Sequence, residues 1–124
     1  MAIDPSKEEE CVLVVEDEEA MRETLREVVA MGGCSVLVAR NGAEALKLLA
    51  ERRPCLVIVD LLMPVMNGVE LIEKMQSQPS LASIPILIST AAPQHAPPGL
   101  PVVPKPIDLD RIWDYMRKTC RCSP

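Results

Sequence analysis

The chain is poor in aromatic side chains. Among its 124 residues there is no phenylalanine, and Trp113, Tyr115 and His95 are each the one residue of their type. Nucleic-acid-binding surfaces combine basic patches with aromatic rings on which bases stack. Here Lys plus Arg number 13 against 18 Asp plus Glu, the net charge is −5, and no basic run occurs. We therefore expect no direct contact with nucleic acid.

Long apolar runs are also missing. No run approaches the ~18 residues of a membrane span, and the start "MAIDPSKEEE" has neither the basic nor the apolar block of a signal peptide. We expect a cytoplasmic protein without membrane insertion. At this length the chain has room for one globular domain, which we place at residues 11–119, after a flexible segment at 1–10 and before a tail at 120–124.

The five cysteines are an odd number. Cys11, Cys34 and Cys55 each open an apolar run, where a small buried thiol is the commonest use of cysteine. We therefore expect reduced thiols in a reducing compartment. Cys120 and Cys122 form a C-x-C in the tail that could bind metal or pair under oxidation, but without histidine neighbours we expect an inert tail.

Four short apolar runs predict buried strands. They are "CVLVV" (11–15), "CSVLV" (34–38), "CLVIV" (55–59) and "IPILIS" (84–89), and none alternates polar with apolar residues. A short "VV" at 102–103 predicts a fifth strand. Runs of this kind are typical of parallel strands that are covered on both faces.

Helices are predicted between and after these runs. Asn41 and Asp108 are candidate N-caps of the second and the last helix. Apolar residues share one face of each helix: Met21, Leu25, Val28 and Val29 in the first, Leu46 and Leu49 in the second, Leu71, Ile72 and Met75 in the third, and Leu109, Ile112, Trp113 and Met116 in the last. The alternation predicts a doubly wound α/β fold.

Charged and hydroxyl residues stand just after these strands. Sites of doubly wound sheets form at the carboxyl ends of the strands, and the residues found there are Glu16, Asp17, Asp60, Ser89, Thr90 and Lys105. Converging carboxylates favour a hard cation such as Mg²⁺. A lysine and a hydroxyl beside them suit phosphoryl transfer onto a carboxylate.

The combination of "VLVVEDE", "VIVDLLMPVMNG", "ILISTA" and "PKP", with "NGAEAL" opening the second helix, resembles the receiver domains of two-component response regulators, the CheY-like family. The resemblance covers residues 12–115. It implies a flavodoxin-like sheet of five parallel strands in order 2-1-3-4-5, flanked by helices.

The resemblance also implies roles for individual residues. Asp60 would be the phosphoacceptor, with Thr90 bonding the phosphoryl group and Lys105 pairing with it. Glu16, Asp17, Asp60 and the backbone carbonyl of Leu62 would bind Mg²⁺. The phosphoryl group would come from a sensor histidine kinase or a histidine phosphotransfer protein, and the chain would be no enzyme beyond its own phosphorylation and dephosphorylation.

Each of these residues has a plainer reading when taken alone. Asp17 could cap the first helix, Asp60 could be a turn carboxylate before Pro64, and Lys105 could be a solvated loop residue. Their joint placement at the strand ends favours a site over coincidence.

The segment between Thr90 and Lys105 departs from the family. It holds 14 residues, 91–104, whereas receivers usually have about twenty and a full fourth helix there. Pro93, Pro97, Pro98 and Pro101 forbid a continuous helix, so we expect that helix to be lost or reduced to one turn. Strand residues beneath it, Ile86, Ile88, Val102 or Val103, would then be partly exposed unless Leu100 or a partner covers them.

Three functions are compatible with the pattern. The first is a phosphoacceptor receiver that signals by protein contacts, with a downstream partner or a second copy bound through residues 90–103 and the last helix. The alternative is a receiver-fold interaction module without phosphoryl switching. A phosphohydrolase of the haloacid dehalogenase type is disfavoured, because the second acid expected two residues after the nucleophile is replaced by Leu62.

Overall fold

The computed structural model describes residues 10–123. The expected flexible segment at 1–10 lies outside the described residues except for Glu10. Within 10–123 the strands are β1 (Cys11–Val15), β2 (Ser35–Ala39), β3 (Leu56–Val59), β4 (Ile86–Thr90) and β5 (Val102–Pro104). The α-helices are α1 (Glu19–Met31), α2 (Gly42–Glu51), α3 (Gly68–Ser77) and α4 (Leu109–Thr119).

The five strands form one parallel sheet in the order β2-β1-β3-β4-β5. This is the predicted doubly wound topology. β1 lies between β2 and β3, with its Val12 opposite Val36 of β2 and Leu56 of β3. All the carboxyl ends therefore meet at one edge of the sheet, and all the amino ends meet at the other.

Helices cover both faces of the sheet. Alternate residues of β1 point to opposite faces, so Leu13 and Val15 pack with α2 and α3, whereas Val12 and Val14 pack with α1 and α4. The predicted N-caps are confirmed, since Asn41 accepts from the N–H of Glu44 and Asp108 accepts from the N–H of Arg111.

One residue of the predicted helix faces is misplaced. Leu109 belongs to the apolar face of the last helix, which predicts burial, but it is 39% exposed. It is the first residue of α4, where the helix has only begun to approach the sheet, while Ile112 and Met116 one and two turns later are fully buried.

The crossover between β4 and β5 contains no α-helix. A single 3-10 turn at Pro93–His95 is its one regular element, as the prolines predict. Of the strand residues beneath it, Val102 is partly exposed, whereas Ile86, Ile88 and Val103 are buried, which is the outcome expected where Leu100 provides cover. Ala96 and Leu100 from the crossover pack against the same cluster as Ile86 and Ile88 and replace the cover of the missing helix.

The cysteines are not all reduced. Disulfides join Cys34 to Cys122 and Cys55 to Cys120, and Cys11 remains a buried free thiol. The expectation of reduced thiols holds for Cys11 and is wrong for Cys34 and Cys55. The tail is not inert, because both of its cysteines are bonded to residues that directly precede strands.

The two ends of the described chain also meet. The N–H of Arg121 donates to the Glu10 carboxylate at 2.9 Å. Glu10 directly precedes β1, so the chain enters the sheet and leaves α4 at the same edge, the amino edge of the strands. Among residues 10–123, no helix has the length and apolar character needed to cross a bilayer.

The disulfides should contribute to stability. Cys34 and Cys122 are 88 residues apart, but the Cys55–Cys120 bond lies inside that loop and already shortens it. We expect Cys122→Ser to lower the free energy of unfolding of the oxidised, metal-free chain by about 3 kcal/mol. Urea denaturation followed by circular dichroism measures the change.

The matched control for this prediction is the same pair of proteins in a reducing agent with a chelator. There the difference should fall to a few tenths of a kcal/mol. Equal stability of the two proteins under oxidising conditions would contradict the observed pairing.

Candidate functional site

The carboxyl edge of the sheet brings together the charged residues that the sequence places after the strands. Glu16 and Asp17 follow β1, Asp60 follows β3, and Lys105 follows β5. Carboxylate oxygens of the three acids lie within 4.8 Å of one another. Asp17 is exposed, whereas Glu16 and Asp60 are only 1% and 8% exposed.

Lys105 holds the two buried acids. Its Nζ lies 2.5 Å from Glu16 Oε1 and 3.4 Å from Asp60 Oδ2. Two carboxylates this close repel each other, and a buried charge without a partner is costly. The ammonium group offsets both effects, so Lys105 is part of the site and is not a solvated loop lysine.

Burial shifts the proton equilibria of this cluster. It raises the pKa of Glu16 from an ordinary value of 4.5 to about 7; the hydrogen bond from Lys105 opposes the rise, and the charge of Asp60 adds to it. Burial alone would lower the pKa of Lys105, but the hydrogen bond and charge of Glu16, with the charge of Asp60, raise it above its ordinary value. Lys105 therefore stays protonated, while Glu16 can exchange a proton near neutral pH.

Thr90 lies on β4, the strand between those that carry Asp60 and Lys105. It is fully buried, and its carbonyl oxygen accepts from the N–H of Lys105 at 2.9 Å. Its Oγ1 accepts from the N–H of Ala92 at 3.1 Å. The hydroxyl proton is left for a further acceptor, because a hydroxyl can accept and donate at once.

The loop between β3 and α3 wraps Asp60 closely. The N–H of Leu62 approaches Asp60 Oδ1 at 3.5 Å, and the N–H of Gly68 donates to the Leu61 carbonyl at 3.0 Å. A Cβ on Gly68 would lie 2.2 Å from the Asp60 carbonyl oxygen. Only glycine allows this approach, which fixes the backbone that presents the Asp60 carboxylate.

Two apolar residues of the same loop are exposed. Leu62 and Val65 have 58% and 82% of their surface in solvent. Val65 adopts φ 68°, a left-handed conformation that is unfavourable for a β-branched residue. The rim of the site therefore presents apolar side chains on a strained turn, as functional loops often do.

The sequence did not single out Arg22, which also supports the site. Its guanidinium donates to the carbonyl oxygens of Glu16 and Asp17 at 3.1 and 3.3 Å. The signal was a basic residue in the first turn of a helix that follows an acidic run. Asp17 does not cap that helix, because the N-cap residue is Glu18 and it makes no side-chain capping bond.

Comparison with known proteins identifies the family. A sequence model described as the response regulator receiver domain matches residues 12–98. The chain belongs to the receiver domain family of response regulators. Among curated relatives, the response regulator MprA of Mycobacterium sp. strain KMS is 36% identical over 117 residues, and that of Mycobacterium avium strain 104 is 34% identical. Each alignment covers 89% of this chain and 50% of the relative, so the chain spans about half the length of these proteins.

Solved receiver structures have the same fold. The receiver domain of a signal transduction histidine kinase from Syntrophus aciditrophicus has a TM-score of 0.78 at 29% identity, covering 89% of this chain and 88% of its own. The response regulator TrrA of Thermotoga maritima, solved in complex with Mg²⁺-BeF, has a TM-score of 0.79 at 28% identity, covering 89% and 98%.

The contact between Gly68 and Asp60 leads to a prediction. Gly68→Ala should lower the free energy of unfolding by about 3 kcal/mol, because the new Cβ displaces the Asp60 backbone. The opposite sign would follow from helix propensity, which favours alanine over glycine within a helix by about 1 kcal/mol. Thermal or urea unfolding distinguishes the two outcomes.

Gly42→Ala is the matched control at the first position of α2. The three heavy atoms nearest to a Cβ there all belong to the Met66 side chain, which can shift, so we expect a change below about 1 kcal/mol. If Gly68→Ala and Gly42→Ala were equally stable, the close approach at Asp60 would not be a real constraint.

Proposed function

We propose that Asp60 accepts a phosphoryl group from the phosphohistidine of a sensor kinase or a histidine phosphotransfer protein in a Mg²⁺-dependent reaction. The domain then signals by protein contacts. The observation that carries the proposal is a buried Asp60 carboxylate, held 3.4 Å from the Lys105 ammonium and within 4.8 Å of two further acids. A carboxylate in this setting can act as a nucleophile toward phosphorus.

The acids fit a magnesium ion. Glu16, Asp17 and Asp60 offer hard oxygen ligands in one cluster, which is the donor type that Mg²⁺ takes, and Asp17 is exposed, which leaves room for the waters that Mg²⁺ keeps. We assign these three side chains and the Leu62 carbonyl as ligands. When bound, Mg²⁺ supplies positive charge that offsets the negative charge of the carboxylates and the phosphoryl oxygens.

The residues of the chain have separate tasks in the transfer. A carboxylate oxygen of Asp60 forms a bond to phosphorus as the bond from phosphorus to the donor imidazole nitrogen breaks, and the electron pair of that bond stays on the imidazole. Lys105 pairs with a phosphoryl oxygen and stabilises its charge. Thr90 donates its free hydroxyl proton to another phosphoryl oxygen. No catalysis on an independent substrate is proposed.

Signal output is proposed to pass through the crossover. Thr90 directly precedes the crossover, residues 91–104, and Lys105 directly follows it. A phosphoryl group that binds both residues therefore shifts both ends of the crossover. The hydrogen bond from Ala92 to Thr90 is the first contact to change. The receiver partner surface is then residues 90–103 with α4, which is tied to β5 by the bond from Arg111 to the Val102 carbonyl at 3.0 Å.

The alternative is an interaction module that has the fold but does not switch. Val102 stands where the family usually has a switching aromatic residue, and the usual fourth helix is missing, both of which favour this alternative. The intact set of site residues argues against it: Glu16, Asp17, Asp60, Thr90 and Lys105. We place the domain in the cytoplasm, where the kinase domains that supply phosphohistidine act.

The proposal predicts a specific covalent product. Incubation of the chain with Mg²⁺ and acetyl phosphate should add one phosphoryl group, detected by mass spectrometry and removed by hydroxylamine, which cleaves acyl phosphates. Asp60→Asn should abolish the product, because the amide is not a nucleophile. Asp110→Asn, at an exposed carboxylate in the first turn of α4, is the control and should react like the wild type.

Two results would contradict the proposal. Undiminished labelling of Asp60→Asn would place the phosphoryl group elsewhere. No label on the wild type, together with no chemical shift change near Asp60 on addition of beryllofluoride and Mg²⁺, would favour the module without phosphoryl switching.

The pKa of Glu16 predicts a pH-dependent Mg²⁺ affinity. Below pH 7 the metal must displace a proton from Glu16, whereas above pH 7 that carboxyl is already ionised. The affinity should therefore rise by up to about tenfold per pH unit below 7 and level off above it. Calorimetric titrations at pH 6 and pH 8 measure this, with Glu16→Gln as a control in which the dependence flattens. Equal wild-type affinities at both pH values would contradict the assignment of Glu16 as a ligand.

A further inference from the structure

A second group of reactive side chains lies at the edge of the sheet opposite the carboxylates. Cys34 directly precedes β2, Cys11 begins β1, and Cys55 directly precedes β3, three strands that are adjacent in the sheet. Cys120 caps the end of α4, and Cys122 follows two residues later. All five cysteines of the chain therefore meet at the amino edge, although they are spread over more than a hundred residues of sequence.

Three of the sulfur atoms lie close together, and a fourth is bonded to one of them. The Sγ atoms of Cys34, Cys120 and Cys122 lie within 4.8 Å of one another, and the Sγ of Cys55 is bonded to that of Cys120. In a tetrahedral thiolate zinc site the metal–sulfur distance is about 2.3 Å, which sets neighbouring sulfurs about 3.8 Å apart. Three sulfurs are already grouped, so after reduction Cys55, now bonded to Cys120, is the sulfur that must move toward the other three to complete a set of four ligands.

We propose that Cys34, Cys55, Cys120 and Cys122 bind one Zn²⁺ when the two disulfides are reduced. A dithiol reductant supplies two electrons and two protons for each disulfide and is itself oxidised to a disulfide. Four thiols result. Binding of Zn²⁺ then releases their four protons as the sulfurs coordinate as thiolates.

The surroundings suit this ion. Cys34 and Cys120 are 4% and 5% exposed and pack in the apolar cluster between the sheet, α1 and α4, so water has little access to the sulfurs. Four thiolates and Zn²⁺ carry a net charge of −2, and the Arg52 guanidinium lies at this edge, close enough for its charge to act on the Cys11 thiol. Four soft sulfur ligands favour a tetrahedral zinc ion over hard cations such as Mg²⁺, which fit the carboxylates at the opposite edge.

The chemistry of the compartment decides which state is used. Disulfides are rare in reducing cytoplasm, where the same spacing of cysteines more often binds metal. The inference takes the cytoplasm from the proposed function, but its test needs no phosphoryl transfer. In either redox state the cluster links the end of α4 to the starts of β2 and β3. Oxidation replaces the zinc site by two disulfide bonds that join the same elements.

The test is a titration of the full chain, reduced with a phosphine and kept free of oxygen. Zn²⁺ should bind with one ion per chain, measured by competition with a chromophoric chelator. Co²⁺ in its place should give the intense visible absorption of a tetrahedral thiolate site. Addition of a thiol oxidant to the zinc-loaded chain should release one Zn²⁺ as both disulfides form.

Ligand variants make the site specific. Cys122→Ser, near the described end of the chain and only partly buried, should weaken Zn²⁺ binding by more than the ~10–100-fold typical of changes outside the ligand shell. Cys55→Ser should do the same. Cys11→Ala removes one cysteine at the same edge that is not in the set, and it should retain full affinity, with circular dichroism reporting that all three variants are folded.

Three outcomes would overturn the proposal. They are no stoichiometric Zn²⁺ binding by the reduced wild type, a loss in Cys11→Ala equal to that in Cys122→Ser, or iron rather than zinc in protein purified without oxygen. Because none of these measurements involves Asp60, a failed zinc site and a failed phosphoacceptor are distinguishable.

Discussion

The ammonium group of Lys105 between two buried carboxylates is the interaction on which the rest of the site depends. Glu16 and Asp60 follow adjacent strands, and the parallel sheet forces their side chains together at a single edge. Without a cation they would repel each other in a region that water hardly reaches. Lys105 makes the arrangement stable in the absence of metal, although burial, with a smaller contribution from the charge of Asp60, still raises the pKa of Glu16.

The backbone around these charges is built to keep them in place. Gly68 allows α3 to begin directly against the Asp60 carbonyl oxygen, and Arg22 fastens the chain after β1 through two carbonyl oxygens. The one departure from this rigidity is the crossover, which lacks its helix and rests on the sheet through Ala96 and Leu100. The domain thus combines a closely held charge cluster with an unusual connection, the crossover that joins Thr90 to Lys105.

Much of this arrangement could be predicted from the sequence. Buried parallel strands have a clear pattern of continuous apolar residues, and their ends determine which side chains can meet, so the placement of Asp60 and Lys105 followed from local patterns alone. The prolines were equally informative, because their effect on a helix does not depend on tertiary structure.

Other features depended on distances in space that no local pattern encodes. The pairing of Cys34 and Cys55 with the tail needs the docked position of α4. The exposure of Leu109 depends on where that helix first touches the sheet, and the cover over Ile88 depends on how the crossover folds back. Arg22 was missed because it donates to backbone carbonyls, and its one signal, a basic residue in the first turn of a helix after an acidic run, does not specify such contacts.

The bond between Arg121 and Glu10 has a consequence for how the domain can be connected. Because both described ends of the chain emerge at the amino edge of the strands, any segment joined at either end is tethered on the side away from Asp60. A neighbouring module would leave the carboxylate edge open to a kinase. Its movement would be transmitted first to the cysteine cluster and α4, so that the proposed phosphoryl site and any attachment would lie at opposite edges of the domain.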